Sequence, residues 1–243
     1  MTPKLPVYLI AGGSWTNFHR ILTAIFTHAG LRQPRVAYIG AANKESKEFF
    51  QGAAKALKAG GARAVVHLRV SRPGWQKAAA RSDAIFVSGG DVGEGMRVLR
   101  QASAIIPLKE LFLKNMVFIG LSAGSIMLAR KWLEWPDEED HENVQVFSCL
   151  GLAPVFCDTH DEPGWTELKA LLNQLPAGAQ GIGLRSGSAV AVRARGVEIL
   201  AGTVDTFEKQ RSPAAIRRSA VMSAPRGILF GSKKRTQKRK KIV

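Results

Sequence analysis

Residues 116–124, MVFIGLSAG, are the stretch of the chain that decides the fold. The run MVFIGL predicts a short buried strand over 116–121, and Ser122 follows it directly, ahead of a predicted helix over 125–131. Gly-x-Ser-x-Gly between a strand and a helix is the context of a nucleophile elbow, a sharp turn that lifts a serine hydroxyl out of a sheet. Gly120 and Gly124 leave the room that this crowded turn needs. The alternative is an ordinary loop with glycines at chance positions.

Strands and helices alternate on both sides of this motif. The predicted strands are apolar almost throughout, as in a parallel sheet buried on both faces, and the alternation implies right-handed crossovers. We therefore predict an α/β fold with a doubly wound, mainly parallel sheet in three layers, α/β/α, as in flavodoxin-like proteins. The predicted strands cover 5–11, 35–41, 62–70, 84–88, 116–121 and two or three more within 181–203 that close or extend the sheet, and the helices cover 17–29, 43–57 (capped by Asn43), 92–101 and 108–114.

Two backbone N–H groups are candidates for an oxyanion hole. The helix that starts behind Ser122 directs the N–H of Ala123 toward charge that develops at the serine. Gly89 and Gly90 end the strand over 84–88, and a glycine N–H there can approach a substrate closely. Both features lie at the carboxyl ends of strands, where doubly wound folds bind ligands. An ordinary strand-ending turn at the two glycines is the alternative.

A serine hydroxyl needs a base to take its proton, and histidine is the usual one. His160 follows the apolar segment 152–156 and so lies at the end of a predicted strand, which favours it over His141 in an acidic run. Three histidines lie within predicted helices or a strand, where surface or core roles are commoner: His19, His28 and His67.

The acid that orients the imidazole is left open by the sequence. Asp137 follows the predicted nucleophile helix. Asp158 lies two residues before His160, on the same face of an extended segment. Glu138 is a third candidate, and a solvent-facing carboxylate is the alternative for each of the three.

The chain resembles peptidase family S51, which includes aspartyl dipeptidase (dipeptidase E) and cyanophycinase and is similar to the class I glutamine amidotransferase-like fold. The resemblance implies Ser122 as nucleophile, His160 as base, and the N–H groups of Gly90 and Ala123 as the oxyanion hole, with Asp137 near the family's acid. It implies hydrolysis of a peptide or amide bond through an acyl-enzyme. Five segments carry it, up to about residue 192: Ala11-Gly12-Gly13, Ser88-Gly89-Gly90-Asp91, residues 119–124, Asp158-Thr159-His160 and Gly181-Ile182-Gly183-Leu184.

The chain also departs from the family pattern. Val92 follows Asp91 where relatives often have a polar residue, and Arg185-Ser186 stands where cyanophycinase-like members commonly have an acidic pair. These departures favour an alternative, a catalytically decayed member that acts as a binding protein. An α/β-hydrolase also has Gly-x-Ser-x-Gly, but this sequence shows no His-Gly oxyanion motif after an early strand.

Charge sets one segment apart. The formal net charge is +16, and residues 233–241 hold seven basic residues and no acidic ones. We predict one domain over 1–232 and a basic tail over 233–243. Such a tail is typical of weak contact with nucleic acid or an acidic surface, and equally of a solvated arm. A nucleic-acid-associated protein is therefore a further alternative.

Composition excludes several other classes. Cys149 and Cys157 form neither a disulfide framework nor a metal-binding spacing, so we expect reduced thiols. No run reaches about 18 apolar residues, and the run at 5–11 is too short for the core of a signal peptide. We therefore expect a cytoplasmic protein with no membrane span, no metal and no cofactor. Its expected partner is a small peptide or amide substrate, with homodimerisation left open.

Overall fold

Helices and strands alternate through the first half of the chain, and strands dominate the second half. The computed structural model describes residues 5–12, 18–134, 144–159, 164–211 and 216–224. The helices in these ranges are α1 (Phe18–His28), α2 (Lys47–Ala59), α3 (Trp75–Ala80), α4 (Val92–Gln101), α5 (Ile105–Leu113), α6 (Ala123–Leu128) and α7 (Thr166–Asn173), with a 3₁₀ turn at Ala41–Asn43. The strands are β1 (Val7–Ile10), β2 (Arg35–Ile39), β3 (Ala64–His67), β4 (Ala84–Val87), β5 (Val117–Leu121), β6 (Lys131–Glu134), β7 (Gln145–Ser148), β8 (Phe156–Thr159), β9 (Gln180–Leu184), β10 (Ala189–Arg193), β11 (Gly196–Ala201), β12 (Thr203–Lys209) and β13 (Ile216–Ser223).

A seven-stranded sheet forms the centre of the described part of the chain, in the order β11-β10-β1-β5-β4-β2-β3. The strands from β1 to β3 in that order pair in parallel, and the β10–β11 hairpin adds two antiparallel strands beside β1. The predicted α/β class with a mainly parallel sheet is confirmed.

Helices cover both faces of this sheet. Along β1, Tyr8 and Ile10 pack into a cluster with residues of α1 and α2, whereas Val7 and Leu9 pack into a second cluster with residues of α4 and α6. Alternate residues of a strand point to opposite faces, so a strand between two helical layers must be apolar throughout. This is the predicted three-layer arrangement.

A second sheet of four strands, β13-β12-β9-β8, was not expected. The prediction that all strands within 181–203 close or extend the main sheet is wrong for β9, which pairs with β8 and β12 instead. The hairpin of β10 and β11 does extend the main sheet. Because β8 and β9 run in parallel, with Thr159 opposite Leu184, their carboxyl ends lie side by side.

Two predicted helix boundaries are corrected. The side chain of Ser46, not of Asn43, caps α2, by accepting a hydrogen bond from the N–H of Phe49 at 3.4 Å. The helix after Ser122 begins at once and ends at Leu128, because the chain from Lys131 onward pairs with β7. Tertiary pairing overrides the local helical spacing there.

The basic tail at 233–243 lies outside the described residues, so the domain boundary at 232 stays a prediction. Within the described ranges, no helix has both the length and the apolar character that crossing a bilayer requires.

Candidate active site

Ser122 occupies the sharp turn between β5 and α6 with φ 53° and ψ −122°. Residues with a Cβ rarely adopt this conformation, which costs on the order of 1–3 kcal/mol and persists only where the surroundings enforce it. Here the surroundings do impose it. The N–H of Ser122 donates to the carbonyl of Ile10 in β1 at 2.8 Å, and its carbonyl accepts from the N–H of Ser125 at 2.8 Å.

The glycines that flank the serine are required by close backbone packing. A Cβ on Gly120 would lie 2.6 Å from the carbonyl oxygen of Gly124. A Cβ on Gly124 would lie 2.1 Å from the carbonyl oxygen of Val87, at the end of the neighbouring strand β4. Neither distance is compatible with a side chain, so the spacing of the motif follows from sterics.

Ser125 is a supporting residue that the sequence did not reveal. Its fully buried hydroxyl accepts a hydrogen bond from the N–H of Ile10 and donates one to the Ile10 carbonyl, both at 2.9 Å. The first turn of α6 is thereby attached to β1. A hydroxyl residue in an otherwise apolar helix, AGSIML, was the available signal.

The loop after β4 brings Gly89 against the serine and Gly90 against the 3₁₀ turn. A Cβ on Gly89 would lie 3.1 Å from the Cβ of Ser122. Gly90 has φ +143°, and a Cβ there would lie 2.0 Å from the carbonyl oxygen of Ala42. The N–H of Asp91 donates to that same carbonyl at 2.8 Å. Only glycine fits at position 90, and the loop is fixed to the 3₁₀ turn.

Asn43, predicted as a helix cap, holds this loop instead. Its side-chain amide nitrogen is within hydrogen-bonding distance of three acceptors: the Tyr38 hydroxyl at 3.0 Å, the Ser88 hydroxyl at 3.1 Å and the Gly89 carbonyl at 3.0 Å. One side chain therefore connects the 3₁₀ turn to the glycine pair. No local pattern could have shown this, because the contacts to Ser88 and Gly89 join residues 45 and 46 positions apart.

Two clefts meet at Ser122 and Gly90. The first, of about 450 Å³ and named here the apolar cleft, lies toward α1 and α2 and is lined by Phe18, Phe49, Ala53 and Leu121 among others. The second, of about 440 Å³ and named the acidic cleft, lies toward β6 and β8. Four carboxylate residues line the acidic cleft: Asp91, Glu134, Asp158 and Glu167. A substrate carbonyl at Ser122 would therefore have a differently lined cleft on each side.

Several predicted residues lie outside the described part of the chain, namely His160, His141, Asp137 and Glu138. Thr159, the last residue of β8 and the one before His160, lines the acidic cleft together with Ser122. Asp158 lines the same cleft and is buried, and one of its carboxylate oxygens accepts from the N–H of Thr159 at 2.6 Å.

The other histidines belong to separate networks or surfaces. His28 bonds to the Tyr8 hydroxyl at 2.8 Å and to Glu198 at 3.1 Å, and His67 bonds to Glu45 at 2.8 Å. Neither they nor His19 line the two clefts.

The two cysteines are not alternative nucleophiles. Both are buried free thiols. Burial raises the pKa of Cys149 to about 12 and places that of Cys157 well above its usual range, so neither forms the reactive thiolate at neutral pH. Within the described residues, no group of three His, Cys, Asp or Glu side chains is arranged to hold a metal ion.

Arg185, one of the predicted departures from the family pattern, pairs with the buried carboxylate of Asp205. Its guanidinium donates to the carboxylate of Asp205 at 2.8 and 3.1 Å. Asp205 is completely buried and also accepts from the indole N–H of Trp165 at 3.1 Å and from Arg218. A buried carboxylate needs such partners, and Arg185 is one of the partners of Asp205.

The fold and this site define an α/β protein with a serine on a nucleophile elbow. The chain belongs to peptidase family S51, a family of serine peptidases, whose model matches residues 7–200. Two solved structures share the fold: a candidate peptidase E protein from Listeria monocytogenes EGD-e and a peptidase from an acI-B1 Actinobacterium. The first has a TM-score of 0.59 and 18% identity, covering 80% of this chain and 97% of its own. The second has a TM-score of 0.59 and 14% identity, covering 91% of this chain and 98% of its own. No curated protein matches the chain.

Proposed function

We propose that the protein hydrolyses a peptide or amide bond through an acyl-enzyme formed on Ser122. The observation that carries the proposal is the strained backbone of this serine, at φ 53°, where two clefts meet. Strain of this kind persists where the surrounding structure enforces it, and it concentrates at functional sites. Membership of family S51 implies a peptide substrate.

In the proposed reaction, His160 removes the hydroxyl proton while the Oγ of Ser122 attacks the substrate carbonyl carbon. The N–H groups of Ala123 and Gly90 stabilise the oxyanion. His160 then donates the proton to the leaving nitrogen, the C–N bond breaks and the acyl group remains on Oγ. A water molecule that His160 deprotonates cleaves this ester, releasing the acid and restoring the serine.

Support for the oxyanion hole comes from the backbone around it. Ala123 opens α6, so its N–H is one of the first in the helix and has no partner within the helix. Gly90 lines both clefts and has no room for a side chain. Asp137 orients His160 in this proposal, as the family resemblance implies. Asp158, buried beside the acidic cleft, is the alternative acid.

A fluorophosphonate probe tests the proposal directly, because it phosphonylates an activated serine. We expect one label on the parent protein, located at Ser122 by peptide mass spectrometry, and none on Ser122→Ala. Ser103→Ala is the matched control, since Ser103 is also at positive φ, 51°, but is exposed and lines neither cleft. Labelling of Ser122→Ala at the parental rate would contradict the proposal.

The Arg185–Asp205 pair favours one rival, a binding protein with an incomplete triad. If His160 lacks an orienting acid, the folded protein should neither react with the probe nor cleave peptides. A parent protein that stays unlabelled while unfolding cooperatively on heating would support this rival.

A further inference from the structure

The wall of the apolar cleft includes one exposed aromatic side chain. Phe49 in α2 is 54% exposed, although a benzyl side chain normally gains by burial. It lines the cleft together with Phe18, Ala53 and Leu121, which are almost fully buried. An aromatic ring left exposed beside a reactive serine offers a contact surface for an apolar group.

The charges along the two clefts disfavour a substrate with a carboxylate side chain. Among the described residues that line the apolar cleft, the only charged one is Glu48, and those of the acidic cleft include four carboxylates. No lysine or arginine lines either cleft within the described ranges. The Ser46 hydroxyl donates to Glu48 at 2.8 Å and lowers its pKa, so this carboxylate is ionised at neutral pH. A substrate carboxylate would therefore meet like charge on both sides, and none of the described residues that line the clefts is a compensating cation.

The position of β8 decides which part of the substrate enters which cleft, and this step rests on the proposed function. The general acid must reach the leaving nitrogen. His160 directly follows Thr159, which lines the acidic cleft. The leaving amine therefore belongs over the acidic cleft, and the side chain of the acyl residue belongs in the apolar cleft.

We infer that the substrates are peptides or amides whose acyl residue has a large apolar side chain, such as Phe or Leu, rather than an acidic one. The cleft, at about 450 Å³, falls in the range of pockets that enclose small ligands. Each methylene in such a pocket changes kcat/KM by about tenfold or more. All test dipeptides are C-terminal amides, so that the leaving residue carries no carboxylate into the acidic cleft. We expect kcat/KM for Phe-Ala to exceed the values for Ala-Ala and Asp-Ala by at least about tenfold.

A panel of Phe-Ala, Leu-Ala, Ala-Ala and Asp-Ala, with products quantified by mass spectrometry, tests this preference. Gly52→Phe narrows the cleft at its helix wall. A Cβ at Gly52 meets nothing within 4 Å, so α2 accommodates the new side chain. We expect kcat/KM for Phe-Ala to fall at least about tenfold and that for Ala-Ala much less. Gln51→Phe adds the same ring at an exposed neighbour that does not line the cleft, and should leave both values unchanged.

A second variant reverses the charge preference. Phe49→Arg places a cation at the exposed mouth of the cleft and should raise the Asp-Ala to Phe-Ala ratio of kcat/KM by at least about tenfold. An unchanged ratio, or a parent enzyme that prefers Asp-Ala, overturns the inference while Ser122 is still labelled by the fluorophosphonate.

Failure of the proposed function is distinguishable from failure of the substrate class. If the parent is neither labelled nor active, calorimetric titration of Ser122→Ala with Phe-Ala and with Asp-Ala measures their binding affinities without any reaction. Tighter binding of Phe-Ala, weakened in the Gly52→Phe background, supports the inference. Equal binding, tighter binding of Asp-Ala or no binding of either overturns it.

Discussion

Replacement of Ser122 by glycine should stabilise the folded protein relative to replacement by alanine. At φ 53° and ψ −122°, alanine keeps the strain of a residue with a Cβ, about 1–3 kcal/mol, whereas glycine adopts this conformation freely. Glycine loses more backbone freedom on folding, which costs about 0.5–1 kcal/mol. At the midpoints of these two ranges, about 2 and about 0.75 kcal/mol, the net advantage of glycine is about 1 kcal/mol. Both variants lack the hydroxyl, so the comparison isolates the backbone.

Thermal unfolding followed by tryptophan fluorescence measures this difference. For a domain of 150–250 residues, 1 kcal/mol shifts Tm by about 2–4 °C, so we expect Ser122→Gly to melt about 2–4 °C above Ser122→Ala. Both variants should also be unreactive toward the fluorophosphonate, which separates the gain in stability from catalysis.

Ser103 supplies the matched pair for this comparison. It is exposed at φ 51° in the turn between α4 and α5, so Ser103→Gly should also exceed Ser103→Ala in Tm, with the reactivity of Ser122 unaffected. If Ser122→Gly melts at or below Ser122→Ala while the Ser103 pair behaves as expected, the elbow is not strained and the reasoning is refuted.

Three further predictions concern the surroundings of the site. Asn43→Ala should lower the unfolding free energy by about 2–4 kcal/mol, because it leaves acceptors without their donor, and should slow labelling of Ser122 at least tenfold. Urea titration and the labelling rate measure the two effects, and parental labelling would show that the loop does not depend on Asn43. Burial raises the pKa of Glu45, so the folded protein binds the proton of this carboxyl group more tightly than the unfolded chain does. The folded protein therefore loses stability as the pH rises above about 4.5. Glu45→Gln should therefore gain stability over the parent at pH 7 in urea titrations, and a gain that grew toward pH 4.5 would contradict this assignment. Cys149 and Cys157 should resist iodoacetamide at pH 8 in the native state and react fully in 6 M guanidinium, and mass spectrometry that found fast native alkylation would disprove their burial.

The elbow could be predicted from the sequence because the residues that mark it are contiguous in the chain. An apolar strand, a serine and two glycines at fixed spacing are contiguous in the chain, and the structure places them at a strand-turn-helix junction. The layered sheet was predictable for a similar reason, since strands buried on both faces must be apolar throughout. The error over β9 has the same origin, because an apolar run shows that a strand is buried but not which sheet it joins.

Tertiary structure alone decided which parts of the chain surround that serine. Ser125 reaches Ile10 across 115 residues, Asn43 reaches Gly89 across 46, and the second sheet brings Thr159 to the acidic cleft. The two different linings around Ser122 likewise come from segments far apart in the chain. Hydrophobic periodicity reports which face of an element is buried, not which distant element covers it. The sequence by itself therefore determined the fold class and the turn that presents Ser122, and long-range packing determined the shape and charge of the clefts around it.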